Sequence, residues 1–293
     1  MGLVEELTAL LGEERVTEDP FALLMYSKDA GASRGHADLV VFPETTEEVA
    51  EVVRIVSRHG VPIVARGAGT GLAAGAVPNE GGVVVSLKRM DRIHEVDVEN
   101  RTAWVGPGVI NLDLSVATQP YGLHFAPDPS SQSVCTIGGN VANNSGGPHC
   151  LAEGSTVAHV LALEVVLADG EVTTLGSAAP DPIGLDLRGV MIGSEGTLGV
   201  ITRAVLRLHP MPRSRQTAFM GLASAVRALE LYNRMRGVFG DQISAFEFIS
   251  APAWAMLAPH LHGRAAPLAG GHRAYVLMDL ASVGDDPGLE ERF

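Results

Sequence analysis

The chain has 293 residues, of which 46% are hydrophobic and 19% charged, with a formal net charge of −13. That length accommodates about two domains of ~100–200 residues each, with enough interior for a real core. So acidic a chain argues against binding to nucleic acid or to an anionic membrane surface, and any anionic group it holds must be held locally, by backbone amides and a few arginines.

The N-terminal stretch predicts a short amphipathic helix with Leu3, Leu7, Leu10 and Leu11 on one side. It is acidic and lacks the basic start of a signal peptide. No apolar run approaches the ~18–20 residues of a membrane helix. The expected compartment is therefore the cytoplasm, with no integral membrane segment. Cys135 and Cys150 are the only cysteines and fit no C-x-x-C pattern, so neither a disulfide framework nor a metal site is expected.

Thr45-Thr46-Glu47-Glu48 has capping-box spacing, and Val49, Val52, Val53 and Val56 follow at helical spacing up to Gly60. A strand is predicted over 61–65. It runs into the segment V-A-R-G-A-G-T-G-L-A-A-G-A, Val64 to Ala76, which holds Gly67, Gly69, Gly71 and Gly75. Such a loop lets backbone approach a ligand closely, and successive N–H groups in it can form an anion-binding nest. A Rossmann loop needs a helix starting there. Here the chain instead continues through Pro78, Gly81 and Gly82 into a strand at 83–87, and no Gly-Lys-Ser/Thr follows for a Walker A loop. A glycine-rich turn without a ligand stays open at this point.

Further on, the pattern predicts a hairpin at 93–98 and 102–105 and a helix at 111–118. Residues 127–150 carry little periodicity and are expected to be a long functional loop. A second hairpin turns at Asp169-Gly170 between 160–168 and 171–175. A helix is predicted near 185–192 and an alternating strand at 200–208. Beyond Pro210 and Pro212 the texture changes to strand (216–222), helix (224–235), strand (245–249), helix (253–257) and strand (275–280). The expected domains are 1–213 and 214–293. Trp104 and Trp254 are expected in the core, and the helix at 224–235, with Leu229 and Leu231, is expected to pack. His260, His262 and His272 read as a polar loop.

Two more glycine segments accompany the first: Thr136-Ile137-Gly138-Gly139-Asn140 with Asn143-Asn144-Ser145-Gly146-Gly147, and Gly193-Ser194-Glu195-Gly196-Thr197-Leu198-Gly199. Three such segments in one domain point to one extended ligand. Together with Y-S-K-D-A (26–30), V-V-F-P-E-T-T-E-E-V (40–49), P-D-P-S-S-Q (127–132), S-G-G-P-H-C (145–150) and I-G-S-E-G-T-L-G-V-I-T (192–202), they carry a family resemblance. From about Tyr26 to Pro212 the chain resembles the FAD-binding domain of the vanillyl-alcohol oxidase/p-cresol methylhydroxylase (PCMH-type) flavoproteins. It is most similar there to the FAD-linked subunit of glycolate oxidase and to D-lactate and D-2-hydroxyglutarate dehydrogenases.

The resemblance implies an α+β fold: a PCMH-type FAD-binding domain of two subdomains with the cofactor between them, followed by a partial ferredoxin-like α+β cap. It implies that Arg66, Gly67, Ala68, Gly69, Thr70, Gly71 and Leu72 hold the FAD pyrophosphate, with Pro43 toward the adenine. Asp128, Ser131, Thr136, Gly138 and Gly139 would line the flavin and its ribityl chain, continued by Asn143, Gly146 and Gly147. Glu195, Gly199 and Ile201 would close over the nucleotide. Covalent relatives often carry histidine in the first loop; Thr70 stands here, so the FAD is expected to be noncovalent. The implied reaction is oxidation of a small 2-hydroxy acid, with hydride passing from its Cα to the flavin. The implied partners are a second FAD-type subunit and an iron–sulfur subunit, through which the protein would sit peripherally at a membrane.

The sequence departs from that pattern in three places. The family's late H-x-G-D-G-N-x-H segment is absent, so no catalytic residue is nominated. The expected alternative is an FAD-binding or structural module without turnover of its own. Leu151-Ala152-Glu153-Gly154 stands where relatives have lysine and tyrosine before the glycine, and Ile183-Gly184-Leu185-Asp186 replaces Ala-Gly-Tyr-Asp. For His149 and Cys150, beside the implied flavin wall, a structural or positioning role is expected.

Overall fold

The computed structural model describes residues 1–177, 184–261, 266–268 and 270–293. The chain divides into two compact units, residues 1–145 with 155–209 and residues 146–154 with 210–293.

The first unit opens with helix α1 (Leu3–Leu11), strand β1 (Val16–Thr17), α2 (Pro20–Tyr26) and β2 (Leu39–Val41). Helix α3 (Thr46–Arg58), β3 (Ile63–Arg66) and β4 (Val83–Ser86) follow. The four strands form one sheet in the order β1-β2-β4-β3, with β2, β4 and β3 parallel. Parallel strands covered on both faces read as continuous apolar runs, and Leu39–Val41 and Val83–Val85 are all buried. One face takes α1 and α3; the other takes Tyr26 and Phe42.

Thr45 caps α3 by accepting the Glu48 N–H at 3.2 Å. The Glu48 carboxylate does not return to Thr45 as a capping box would; it accepts from Glu44 N–H and from Arg15 Nη1, both at 2.7 Å. The predicted valine stripe is the buried face. Val49, Val52, Val53 and Val56 are at most 3% exposed, each contributing ~1.5–3 kcal/mol by leaving water.

The second sheet uses β5 (Ile93–Asp97) and β6 (Thr102–Val105), then after α4 (Asn111–Thr118), β7 (Leu123–His124), α5 (Ile137–Asn143) and α6 (Cys150–Glu153) come β8 (Val160–Val166) and β9 (Val172–Gly176). It is completed by β10 (Val200–Arg207), after α7 (Leu187–Met191), in the order β5-β6-β10-β8-β9. β7 pairs as a short ribbon with β11 (His209–Pro210). α4 and α5 pack on this sheet through Leu114, Ile137 and Val141.

Two sequence expectations fail in this unit. The stretch 127–150 is not one long loop, because Thr136 caps a helix, α5, over Ile137–Asn143. Glycine and asparagine lower helix propensity, and burial of Ile137 and Val141 against the sheet overrides it. Trp104 is not core: it is 40% exposed on the outward side of β6, with the Arg203 guanidinium 5.7 Å over its ring.

In the second unit β12 (Ser214–Leu222), α8 (Ala225–Phe239), β13 (Ile243–Ser250), α9 (Ala251–Leu257) and β14 (Ala274–Ser282) form an antiparallel sheet in the order β12-β14-β13, followed by α10 (Leu289–Arg292). β12–α8–β13 is a split βαβ unit with β14 inserted between its strands, the ferredoxin-like arrangement. α8 packs through Ala228 and Phe239, whereas Leu229, expected to pack, is 61% exposed. Trp254 is buried beside Phe219 and Tyr275. Within this unit the His149 Nε2 lies 3.6 Å from Asp279 Oδ2. His262 and Ile183 lie outside the described residues.

Candidate functional site

The glycine loop leaves β3 at Arg66 and returns toward β4 without forming a helix. Gly69 has φ +70°, a left-handed conformation that costs glycine nothing. A Cβ there would collide with the guanidinium of Arg66, which lies directly beneath. Arg66 is 7% exposed, and Nη1 donates to Ala76 O at 2.9 Å and to Tyr26 O at 3.3 Å. Among the described residues no carboxylate comes within 4.0 Å of it. Burial pulls its proton affinity below the ordinary arginine value, opposed by Tyr26 and Asp29. A buried cation without a contact ion pair favours an anionic ligand beside it.

The opposite wall comes from α5 and the 193–201 turn. Thr136 Oγ1 accepts the Gly139 N–H at 3.4 Å at the start of α5. A Cβ on Gly138 would lie 2.6 Å from Pro107 Cβ, so only glycine lets the helix seat there. The 193–195 turn is tied to α5: Gly193 N–H donates to Val141 O at 3.0 Å and Glu195 N–H to Ala142 O at 2.8 Å. Glu195 thereby takes φ +53°, and a Cβ on Gly75 across the gap would fall 2.6 Å from its Oε2. Asn111 and Asn140, both buried, lock the floor. Asn111 Nδ2 donates to Pro127 O at 3.0 Å and Asn140 Oδ1 at 2.9 Å, and Asn140 Nδ2 donates to Cys135 Sγ at 3.3 Å.

Between these walls, within the first unit, lies a cavity of about 330 Å³. Arg66, Gly67, Ala68, Gly69, Thr70, Gly71 and Leu72 line it on one side. Ser131, Thr136, Gly138, Gly139, Asn143, Glu195, Gly199 and Ile201 line it on the others. An adjoining cavity of about 510 Å³ shares Arg66, Gly67, Ala68 and Thr136 and is further lined by Tyr26, Lys88, Asp91 and Asp113. Pro43 and Asp128 line neither cavity: Pro43 is buried at the turn into α3, and Asp128 is half-buried. Gly146 and Gly147 group with the second unit.

Sequence reasoning misses Asp29, Pro107, Ser145 and Gly196, which also line the first cavity. Asp29 and Ser145 stand in the motifs Y-S-K-D-A and S-G-G-P-H-C, so a signal is present in the sequence without a role attached.

The cavity fits FAD on the structure's own terms. It is a cleft that glycine backbone lines where the loop crosses, with a buried guanidinium under that loop and a second cavity continuing from it.

Residues 37–176 match the family model of the FAD binding domain. Glycolate oxidase subunit GlcD of Bacillus subtilis (strain 168) is 45% identical over 215 residues, covering 73% of this chain and 46% of the relative. D-lactate dehydrogenase of Archaeoglobus fulgidus is 42% identical over 176 residues, covering 60% of this chain and 39% of the relative. This chain thus spans less than half the length of either relative. A solved structure of alkyldihydroxyacetonephosphate synthase superposes with a TM-score of 0.82 over 95% of this chain and 56% of its own, at 20% identity, a likeness of fold.

Proposed function

We propose that this chain, whose residues 37–176 match the FAD binding domain, is the FAD-binding part of a 2-hydroxy acid dehydrogenase of the glycolate oxidase type. The observation that carries the reading is the glycine loop over the buried Arg66, which lines one cavity together with Thr136 and Glu195 and where a Cβ at Gly67 or Gly75 would meet those two side chains. In this reading residues 1–213 are the FAD-binding domain and 214–293 belong to a substrate or cap domain.

Backbone amides of Gly67–Gly71 take the pyrophosphate, and Arg66 balances its charge from below. Ser131, Thr136, Gly138, Gly139 and Asn143 line the flavin and ribityl side, and Glu195, Gly199 and Ile201 close the nucleotide side. Pro43 and Asp128, of the same unit, are proposed to support this shell from behind. Thr70 offers no covalent attachment, so the FAD is held noncovalently. When bound, FAD supplies the acceptor for the two electrons released as a 2-hydroxy acid becomes a 2-oxo acid. The implied partners are a second FAD-type subunit and an iron–sulfur subunit that carries those electrons away. Among the described residues no helix is long and apolar enough to cross a membrane.

The test is an anaerobic spectrum of the purified, FAD-loaded chain with glycolate or D-lactate added. Bleaching of the flavin band is expected. A yellow protein that no 2-hydroxy acid bleaches favours the second reading, an FAD-holding module without turnover of its own. A protein that takes up no FAD overturns both.

A further inference from the structure

Asp29 is a buried carboxylate, 9% exposed, at the edge of the cleft. Both its oxygens are turned to backbone amides. Oδ1 accepts the Gly31 N–H at 2.8 Å, and Oδ2 accepts the Ala74 N–H at 3.0 Å, across 45 residues of chain. Ala74 has φ +68°, the left-handed region that a Cβ disfavours. An outlier of that kind persists only where its surroundings hold it. The same short segment braces the loop twice more. Ala30 N–H donates to Gly69 O at 3.0 Å, and a Cβ on Gly31 would lie 2.8 Å from Leu72 O. From the other end of the loop, Arg66 holds Ala76 O.

We propose that Asp29 is a positioning residue for the cofactor: its carboxylate pins Ala74 in the left-handed conformation and so keeps the Gly69–Gly75 loop in its binding shape before FAD arrives. A carboxylate lining an anion cradle would ordinarily repel the ligand. Here its charge is committed to two amide donors. Preorganisation of this kind appears as affinity, because the loop need not be ordered at the moment of binding. The proposal rests on the FAD reading for its ligand but not for its mechanism.

The experiment compares wild type, Asp29→Ala, Asp29→Asn and Asp29→Ala/Ala74→Gly as FAD-free protein. FAD is titrated in by flavin fluorescence, and amide hydrogen exchange is read at Ala74. Loss of a charge-assisted bond predicts an affinity lowered by about tenfold in Asp29→Ala, with faster exchange at Ala74. Asp29→Asn falls between, since its one oxygen can accept only one of the two amides. Ala74→Gly restores part of the affinity lost by Asp29→Ala, because glycine holds φ +68° without the carboxylate; a merely structural aspartate shows no such rescue. Wild-type affinity and unchanged Ala74 exchange in Asp29→Ala overturn the proposal, as does the absence of rescue. If Asp29→Ala does not fold, the same cycle is run on Asp29→Asn. A wild type that binds no FAD overturns the FAD reading instead, while Ala74 exchange still decides the brace.

Discussion

In the first wall of the cleft, Val64–Ala76, glycine serves a chain that turns without a helix and passes over Arg66; in the second, Thr136–Asn143, glycine sits inside a helix and lets it press onto Pro107. The first wall is shaped by hydrogen bonds reaching in from outside, from Asp29, Ala30 and Arg66. The second is shaped by its own helix and by the apolar contacts of Ile137 and Val141. One wall is therefore held in shape from outside itself, and the other by its own helix and its burial. Substitutions should separate ligand affinity from stability differently on the two sides.

The largest effect is expected at the anchor of the first wall. Arg66→Met leaves Ala76 O and Tyr26 O without their charged donor, a loss of ~3 kcal/mol. FAD binding should fall beyond detection in a fluorescence titration; retained binding would mean the loop shapes itself. Next comes Gly138→Ala on the second wall, where the new methyl meets Pro107 and overpacks the seat of α5. Urea unfolding of the FAD-free protein should show ~1–3 kcal/mol of destabilisation, whatever the ligand does. Gly71→Ala is the mirror test, because a Cβ there meets nothing nearer than Asn143 Oδ1 at 3.9 Å. The FAD-free protein should unfold within ~0.5 kcal/mol of wild type, while FAD affinity falls about tenfold. Equal loss in both assays would break the distinction between the walls. The smallest effect is expected for Thr136→Val, whose cap bond to Gly139 is long at 3.4 Å. Its loss should cost ~0.5 kcal/mol in the same unfolding assay, and a larger loss would show that α5 depends on its cap more than on its buried face.

Elements with strong periodicity or punctuation are legible in the sequence. α3 follows from its valine spacing and Thr45, the β8–β9 hairpin from Asp169-Gly170, and β10 from its alternation. The first glycine loop and most of the residues named in the second and third segments come together around one cavity. α5 is not legible, because a helix of glycine, asparagine and alanine has little propensity and shows only two apolar side chains to the sheet. Trp104 defies its expected place in the core because the outward side of an antiparallel strand tolerates a large ring when a guanidinium covers it.

Local chemistry, visible in the chain alone, determines that Val64–Ala76 leaves its strand as a glycine-rich loop without a following helix. Glycine spacing and the missing helix start are properties of neighbours in sequence, and so is the ordered set of motifs that marks an FAD-binding chain. Only the tertiary structure decides how that loop is held. The amide of Ala74 finds the carboxylate of Asp29 45 residues away, and the width of the gap is set by Thr136 and Glu195 from two other segments. Backbone propensity reaches a few residues along the chain, whereas a hydrogen bond between distant segments exists only once packing has brought them within about 3 Å of each other.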